Sequence, residues 1–188
     1  VRMFYLLRNP WDLVASRRRR MPHIEAVLST CLPWAKGIRI ASALERAYPD
    51  RFRIVQYEAI TARAEETVRD LCDWLDTPYD DDFLDVPHVN PAENPYVLES
   101  EDRRDGLNAS RIYQYVKRLT PGEIVRVDLA LAILRASGAA RSAYPDLPHT
   151  IGNHSLPAKL GSLGHLAIAP FRMAWFYLTY LKRSPRHL

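Results

Sequence analysis

The sequence predicts an α/β fold in which helices flank a parallel sheet. Two short segments, 3–7 and 53–57, have the length and the bounding turn signals of strands, and helical patterns separate and follow them. Strands that alternate with helices usually pair in parallel, because a helical crossover returns the chain to the same end of the sheet. The chain has 188 residues, 47% hydrophobic and 26% charged, which is the composition of an ordinary globular protein.

The first element is the apolar run MFYLL, residues 3–7, which predicts a strand covered on both faces. A helix follows at once. Asn9 suits its N-cap, Pro10 its first position, and Asp12 places a negative charge at the positive end of the helix dipole. We expect this helix to end near Arg20.

The next two helices enclose the second predicted strand. A helix of about 20 residues begins at His23, with interruptions expected at Pro33 and Gly37. After the strand at 53–57, the segment AEETVRDLCDWL predicts an amphipathic helix. Its apolar residues recur at helical spacing, at Val68, Leu71, Cys72 and Leu75.

Residues 77–107 are rich in proline and acidic residues and predict a long loop. A short helix is expected over 110–118. Thr120 and Glu123 then form a capping-box pattern, which predicts the start of another helix, and Gly138 is the expected stop. These elements predict an α/β domain over residues 1–145.

Residues 146–188 are expected to form a tail with one apolar helix. The apolar stretch, residues 166–181, is shorter than the ~20 residues needed to span a bilayer. Two interpretations stay open: a helix packed on protein, or peripheral contact of residues 165–188 with a membrane surface.

The composition excludes several classes of function. The net charge is +4, but no nucleic-acid-binding motif accompanies it, so no nucleic-acid partner is expected. The two cysteines, Cys31 and Cys72, have no metal-binding spacing and are expected to be buried free thiols. The sequence contains no HExxH motif and no Cys/His cluster, so no metal site is expected. No signal peptide is evident, so a cytoplasmic location is expected.

The first strand–helix junction is the candidate site. A helix N-terminus offers unpaired N–H groups to an anion, and Arg8 adds a forked cation just before it. Ser16 lies two turns further along the same side of the helix. This pattern fits a phosphate, although a capped helix with a solvated basic face, residues 17–20, also fits it.

A family resemblance favours the phosphate. The stretch YLLRNPWDLVAS resembles the signature of sulfotransferases that use 3′-phosphoadenosine 5′-phosphosulfate (PAPS), in which an apolar strand precedes Arg-[Asp/Asn]-Pro-x-Asp and a later serine. The resemblance implies a fold like that of the P-loop NTPases, and it implies that Arg8 and Ser16 hold the 3′-phosphate of the donor.

Further along the chain, the family's order of segments continues to about residue 138. Tyr57, in the pair Tyr57-Glu58, stands where the family's tyrosine contacts the adenine. In place of the family's Arg-Lys-Gly phosphate loop the chain has Asn108-Ala109-Ser110, followed by Arg111. Ser110 and Arg111 are therefore the candidates for a second contact with the 3′-phosphate.

The implied function is sulfuryl transfer from PAPS to a hydroxyl or amine acceptor (a small molecule, a glycan or a lipid), with 3′-phosphoadenosine 5′-phosphate (PAP) as product. The family's 5′-phosphosulfate loop and catalytic base are not visible, so we expect an N-terminally incomplete domain, which a second polypeptide could complement. No catalytic residue is assigned, although His23 and His88 are the histidines that could be proposed as bases. The alternative is a non-catalytic nucleotide-binding or membrane-surface module.

Overall fold

The computed structural model describes residues 1–85, 107 and 109–145, with only the backbone of Arg111. The predicted tail and most of the predicted loop lie outside these residues. Seven helices and two strands are present in the described part of the chain. They are β1 (Met3–Leu7), α1 (Pro10–Arg17), α2 (His23–Ala47), β2 (Phe52–Gln56), α3 (Tyr57–Ala62), α4 (Ala64–Leu75), α5 (Tyr115–Arg118), α6 (Pro121–Ile133) and α7 (Ser137–Ala143).

The predicted α/β class with a parallel sheet is confirmed. β1 and β2 pair in parallel, with Met3 opposite Phe52 and Leu7 opposite Gln56. At the other edge of β2, the Ile54 N–H donates to Oε1 of Glu45 at 2.7 Å. A side chain therefore occupies a donor that a further strand would otherwise need.

The chain divides into two compact units, which we name here. The sheet unit consists of Val1–Arg8 and Ile40–Gln114, and the helical unit consists of Asn9–Arg39 and the chain from Tyr115 onward. α2 contributes residues to both. Each unit is described separately below.

The core of the helical unit is apolar and tightly enclosed. Trp11, Val14, Val27, Cys31, Ala35, Tyr115, Val127 and Leu131 are all buried there. The sheet unit buries Leu7 and Val55 from its two strands, together with Cys72 of α4. Both cysteines are buried free thiols, as the sequence predicts.

β1 corrects one expectation. The strand is not covered on both faces in the described part of the chain, since Met3, Phe4 and Leu6 are 56%, 46% and 49% exposed. β1 pairs with β2 alone among the described residues, and Leu7 is its one buried side chain. An apolar run identifies the strand but does not reveal what packs on it.

α2 corrects a second expectation, because it runs without a break through Pro33. A proline inside a helix removes one backbone N–H and leaves the carbonyl four residues earlier without its usual donor. Here that carbonyl belongs to Ser29, and Nη1 of Arg17 donates to it at 2.5 Å. The arginine replaces the lost hydrogen bond, so the helix continues.

The helix ends follow local rules, with two corrections. Thr120 and Glu123 form the predicted capping box at the start of α6. α6 nevertheless ends at Ile133, because Arg135 adopts the left-handed conformation (φ 54°), and Gly138 lies inside α7. α1 also ends earlier than predicted, at Arg17.

α4 ends at Leu75, followed by a left-handed residue that closes its last turn. Asp76 takes the left-handed position that glycine often fills, with φ 60°. The N–H of Thr77 then donates to the carbonyl of Cys72 at 3.0 Å, which closes the last turn.

Candidate functional site

In the sheet unit, the structure brings Arg8 and Tyr57 together. The Arg8 guanidinium carbon, Cζ, lies 4.3 Å from the centre of the Tyr57 ring, which is within the range of a cation–π contact. Both side chains are half-buried. Arg8, which the sequence predicts to be a phosphate ligand, therefore lies against the ring of Tyr57.

The register of the two strands explains this contact. Leu7 and Gln56 are the last residues of β1 and β2, and they lie directly opposite each other. Arg8 and Tyr57 are the next residues along each chain, so both leave the sheet at its carboxyl end. In open parallel sheets this end is where ligands usually bind.

Tyr57 is not the last residue of the strand, as predicted, but the first residue of α3. The backbone turns into the helix directly after Gln56. Within α3, the Thr61 hydroxyl donates to the Tyr57 carbonyl, and the Thr67 hydroxyl of α4 donates to the Ala59 carbonyl at 3.2 Å. These bonds fix the short helix that carries Tyr57.

Ser110 and Arg111 lie in a 3₁₀ turn, Ala109–Arg111, which packs against α3. Ser110 is exposed, and its carbonyl accepts a hydrogen bond from the Gln114 side chain. The predicted second phosphate contact therefore lies next to the helix that carries Tyr57. The side chain of Arg111 lies outside the described residues, so its predicted role stays a prediction.

Ser16 belongs to the helical unit. It is exposed and lies one residue before the end of α1. Its hydroxyl is accessible to solvent, as a ligand-binding role requires, and its assignment to the phosphate stays a prediction.

The N-terminus of α1 is not the open anion site that the sequence suggested. Asn9, Pro10, Trp11 and Asp12 are all buried. Asn9 caps the helix, with its Oδ1 accepting from the Asp12 N–H at 2.8 Å. The Asn9 side chain therefore occupies one N–H of the first turn, and the case for an anion rests on Arg8 rather than on the helix dipole.

Asp12 has a structural role that the sequence did not reveal. One carboxylate oxygen accepts from Nδ2 of Asn9 at 2.9 Å, and the other accepts from the backbone N–H of Tyr115 at 2.8 Å. Asp12 thus ties α1 to α5 within the helical unit. Its partner lies 103 residues away in sequence, so no local pattern could have indicated it.

Trp11 makes a second such link. Its indole Nε1 donates to Asp128 of α6 at 2.9 Å, and its ring lies 6.1 Å from that of Tyr115. The side chain is completely buried. The middle of the signature, from Asn9 to Asp12, therefore stabilises the helical unit.

The basic run after Ser16 is partly engaged in the same unit. Arg17 donates to Ser29, as described above, and Nε of Arg18 pairs with Glu123 at 3.0 Å. Glu123 also closes the capping box of α6. All four arginines are exposed, and two of them, Arg17 and Arg18, also make contacts within the unit.

His23, one of the two histidines weighed as a base, lies at the start of α2 and is 7% exposed. Burial lowers its pKa to about 4, against an opposing effect of Glu123, and the cations Arg126 and Arg18 lower it further. The ring is therefore neutral at pH 7, and its Nδ1 lies 3.4 Å from Nη1 of Arg126. Such burial suits a structural histidine. His88 lies outside the described residues.

Burial also decides the chemistry of Cys31. Burial first, and the nearby Asp128 carboxylate second, raise the pKa of its thiol to about 12. The reactive thiolate is therefore absent at neutral pH. Among residues 1–85, 107 and 109–145, no cluster of three or more potential metal ligands occurs.

A separate cavity of about 290 Å³ lies in the sheet unit, between β2, α3 and α4. Arg53 and Asp70 line it and form an ion pair of 2.5 Å, and Arg63 and Glu66 form a second pair of 3.4 Å. The cations of this cavity are already neutralised by neighbouring carboxylates.

Together, the parallel strand pair and the cation at its carboxyl end define an α/β protein with a candidate anion-binding site. Residues 2–81 match the family described as the sulfotransferase family. Over this range, which is less than half of the chain, the sequence is similar to proteins whose general chemistry is sulfuryl transfer. The matched range includes Arg8, Ser16 and Tyr57 but not Ser110 or Arg111.

Searches of curated proteins and of solved structures returned no match. No helix in the described ranges is both long enough and apolar enough to cross a bilayer. The segment proposed for membrane contact, residues 165–188, lies outside those ranges.

Proposed function

We propose that this chain binds PAPS and serves the transfer of its sulfuryl group to a hydroxyl or amine acceptor, with Arg8 as the cation that binds the 3′-phosphate. The observation that carries the proposal is the position of the Arg8 guanidinium, half-buried at the carboxyl end of the parallel strands and in contact with Tyr57. The family match over residues 2–81 supports it independently.

The residues present suit the phosphate group. A guanidinium offers forked N–H donors that match phosphate oxygens, and its charge does not titrate at physiological pH. Partial burial strengthens such a charge-assisted contact, because the local dielectric constant is lower than in water. The Ser110 turn packs against α3, the helix that Tyr57 begins, and offers a hydroxyl for the same nucleotide.

PAPS supplies the reacting group: the bond between its sulfur and the bridging phosphate oxygen breaks as sulfur bonds to the acceptor, the acceptor's proton passes to a base, and PAP leaves. The contribution of this chain is to hold the nucleotide, which places the reacting sulfur against the acceptor. Ser16 keeps its sequence-based assignment as a hydroxyl donor. The acceptor is a small molecule, a glycan or a lipid.

Calorimetric titration of the purified chain with PAP tests the proposal. We expect micromolar binding by the wild type and a loss of about 10- to 100-fold in Arg8→Ala, since a hydrogen-bonded charge contact is worth about 1.5–3 kcal/mol. Arg2→Ala is the matched control: Arg2 is an exposed arginine near the opposite end of β1, so its removal should leave the affinity unchanged.

Two results would contradict the proposal. One is the absence of PAP binding by a wild-type chain whose circular dichroism shows it to be folded; the non-catalytic module would then be the better description. The other is an equal loss in both arginine variants, which would indicate a general electrostatic attraction rather than a site at Arg8.

A further inference from the structure

We propose that Tyr57 is a positioning residue, which acts on the 3′-phosphate through Arg8 rather than by a contact of its own with the adenine. This inference rests on the proposed function and gives Tyr57 a role different from the one implied by the family resemblance. The observation behind it is the 4.3 Å separation between Arg8 Cζ and the centre of the Tyr57 ring.

The contact is built into the sheet. The register that places Leu7 opposite Gln56 also places the next residues, Arg8 and Tyr57, side by side at the carboxyl end. Tyr57 begins α3, and hydrogen bonds from Thr61 and Thr67 hold that helix. The ring therefore sits on a fixed backbone, and the flexible partner that it restrains is the arginine.

Restraint of an arginine favours phosphate binding. A free arginine side chain populates many rotamers, and a ligand must pay for the loss of that freedom when it binds. A ring that already holds the guanidinium removes part of this cost, as preorganisation does in general. The ring meets the guanidinium carbon, whereas a phosphate is bound through the N–H groups, so the two contacts are compatible.

The hydroxyl of Tyr57 is not needed for this role. The attraction between a cation and an aromatic face depends on the ring, and phenylalanine supplies a similar face. Direct recognition of adenine through the phenol oxygen would depend on the hydroxyl instead. The two roles therefore predict different behaviour for Tyr57→Phe and for ligands with and without a 3′-phosphate.

The experiment titrates the full chain and the variants Tyr57→Phe and Tyr57→Leu with PAP, and with adenosine 5′-phosphate in competition with PAP. Adenosine 5′-phosphate has the same base but no 3′-phosphate. We expect Tyr57→Phe to bind PAP within about 2-fold of the wild type and Tyr57→Leu to bind it about 3- to 10-fold more weakly. The affinity for adenosine 5′-phosphate should be the same in all three proteins.

The outcomes separate the two proposals. Absence of PAP binding by the folded wild type removes the proposed function, and this inference with it. PAP binding that is lost in Arg8→Ala but unchanged in Tyr57→Leu leaves the function standing and overturns the positioning role. A parallel loss of affinity for adenosine 5′-phosphate in Tyr57→Leu, or a loss in Tyr57→Phe as large as in Tyr57→Leu, also overturns it. A merely structural defect would weaken both ligands together.

Discussion

The helical unit buries carboxylates that accept long-range hydrogen bonds, whereas the ion pairs described in the sheet unit lie at its surface. In the helical unit, Asp12 is 2% exposed and Asp128 is 6% exposed, and both accept hydrogen bonds from groups more than 100 residues away in sequence. In the sheet unit, the Arg53 and Asp70 side chains are 35% and 60% exposed and pair across a solvent-accessible cavity. Apolar side chains of β1 are exposed as well.

This difference separates stability from binding within one sequence signature. Asn9 to Asp12 lie in the helical unit, and substitutions there should unfold the protein rather than alter its ligand. Arg8 lies in the sheet unit beside Tyr57, and substitutions there should alter the ligand rather than the fold. A scan that measured activity alone would not distinguish the two groups.

The largest effect should come from Trp11→Ala. Removal of this buried ring leaves a cavity and deprives Asp128 of one donor, so we expect the free energy of unfolding to fall by about 3–5 kcal/mol. Urea denaturation followed by circular dichroism at 222 nm would measure it. Phe4→Ala, on the exposed face of β1, is the control and should cost no more than about 1 kcal/mol. Equal costs would mean that the two units do not differ as described.

The next effect is a loss of stability in acid, carried by His23. Its pKa is about 4 in the folded chain against 6.5 ordinarily, so the unfolded chain binds more protons between these values. Stability should therefore be complete above about pH 6.5 and fall as the pH drops towards 4, by up to about 3 kcal/mol. Urea denaturation at a series of pH values would show it.

His23→Gln is the control for this pH effect, because glutamine does not titrate. The variant should show a flat stability between pH 6.5 and about 4.5. Below that, Glu123 contributes in the same direction: burial would raise its pKa, but hydrogen bonds from the Thr120 backbone and Arg18 lower it on balance. A decline between pH 6.5 and 4.5 that persists unchanged in His23→Gln would show that another group is responsible.

Much of the fold could be predicted because local chemistry determines it. Asn9 and Thr120 each act on backbone groups within a few residues, so the sequence shows the cap and the helix together. Pro33 shows the limit of such rules. The helix continues through it because Arg17, which lies before α2 begins, donates to the carbonyl that the proline leaves without a donor.

The candidate site could be predicted only in part, for a similar reason. Arg8 follows an apolar strand and is visible in the sequence, with or without a family resemblance. Its contact with Tyr57 depends on which residues of β1 and β2 lie opposite each other, and a shift of one residue would separate the pair. The sequence of either strand alone does not contain that register.

The smallest effect should distinguish the two units most directly, through an ion pair that joins two elements in each unit. Asp70→Asn removes the exposed pair with Arg53 and should change the free energy of unfolding by less than about 1 kcal/mol, and by less still at high salt. Glu123→Gln removes the pair with Arg18. The Glu123 side chain is only 11% exposed and also closes a capping box, so we expect the free energy of unfolding to fall by more, about 1–2 kcal/mol. Urea denaturation of both variants at low and high salt makes the comparison. If Asp70→Asn cost as much as Glu123→Gln at both salt concentrations, the cavity pair would contribute to stability as a buried pair does, and exposure would not explain the difference between the two units.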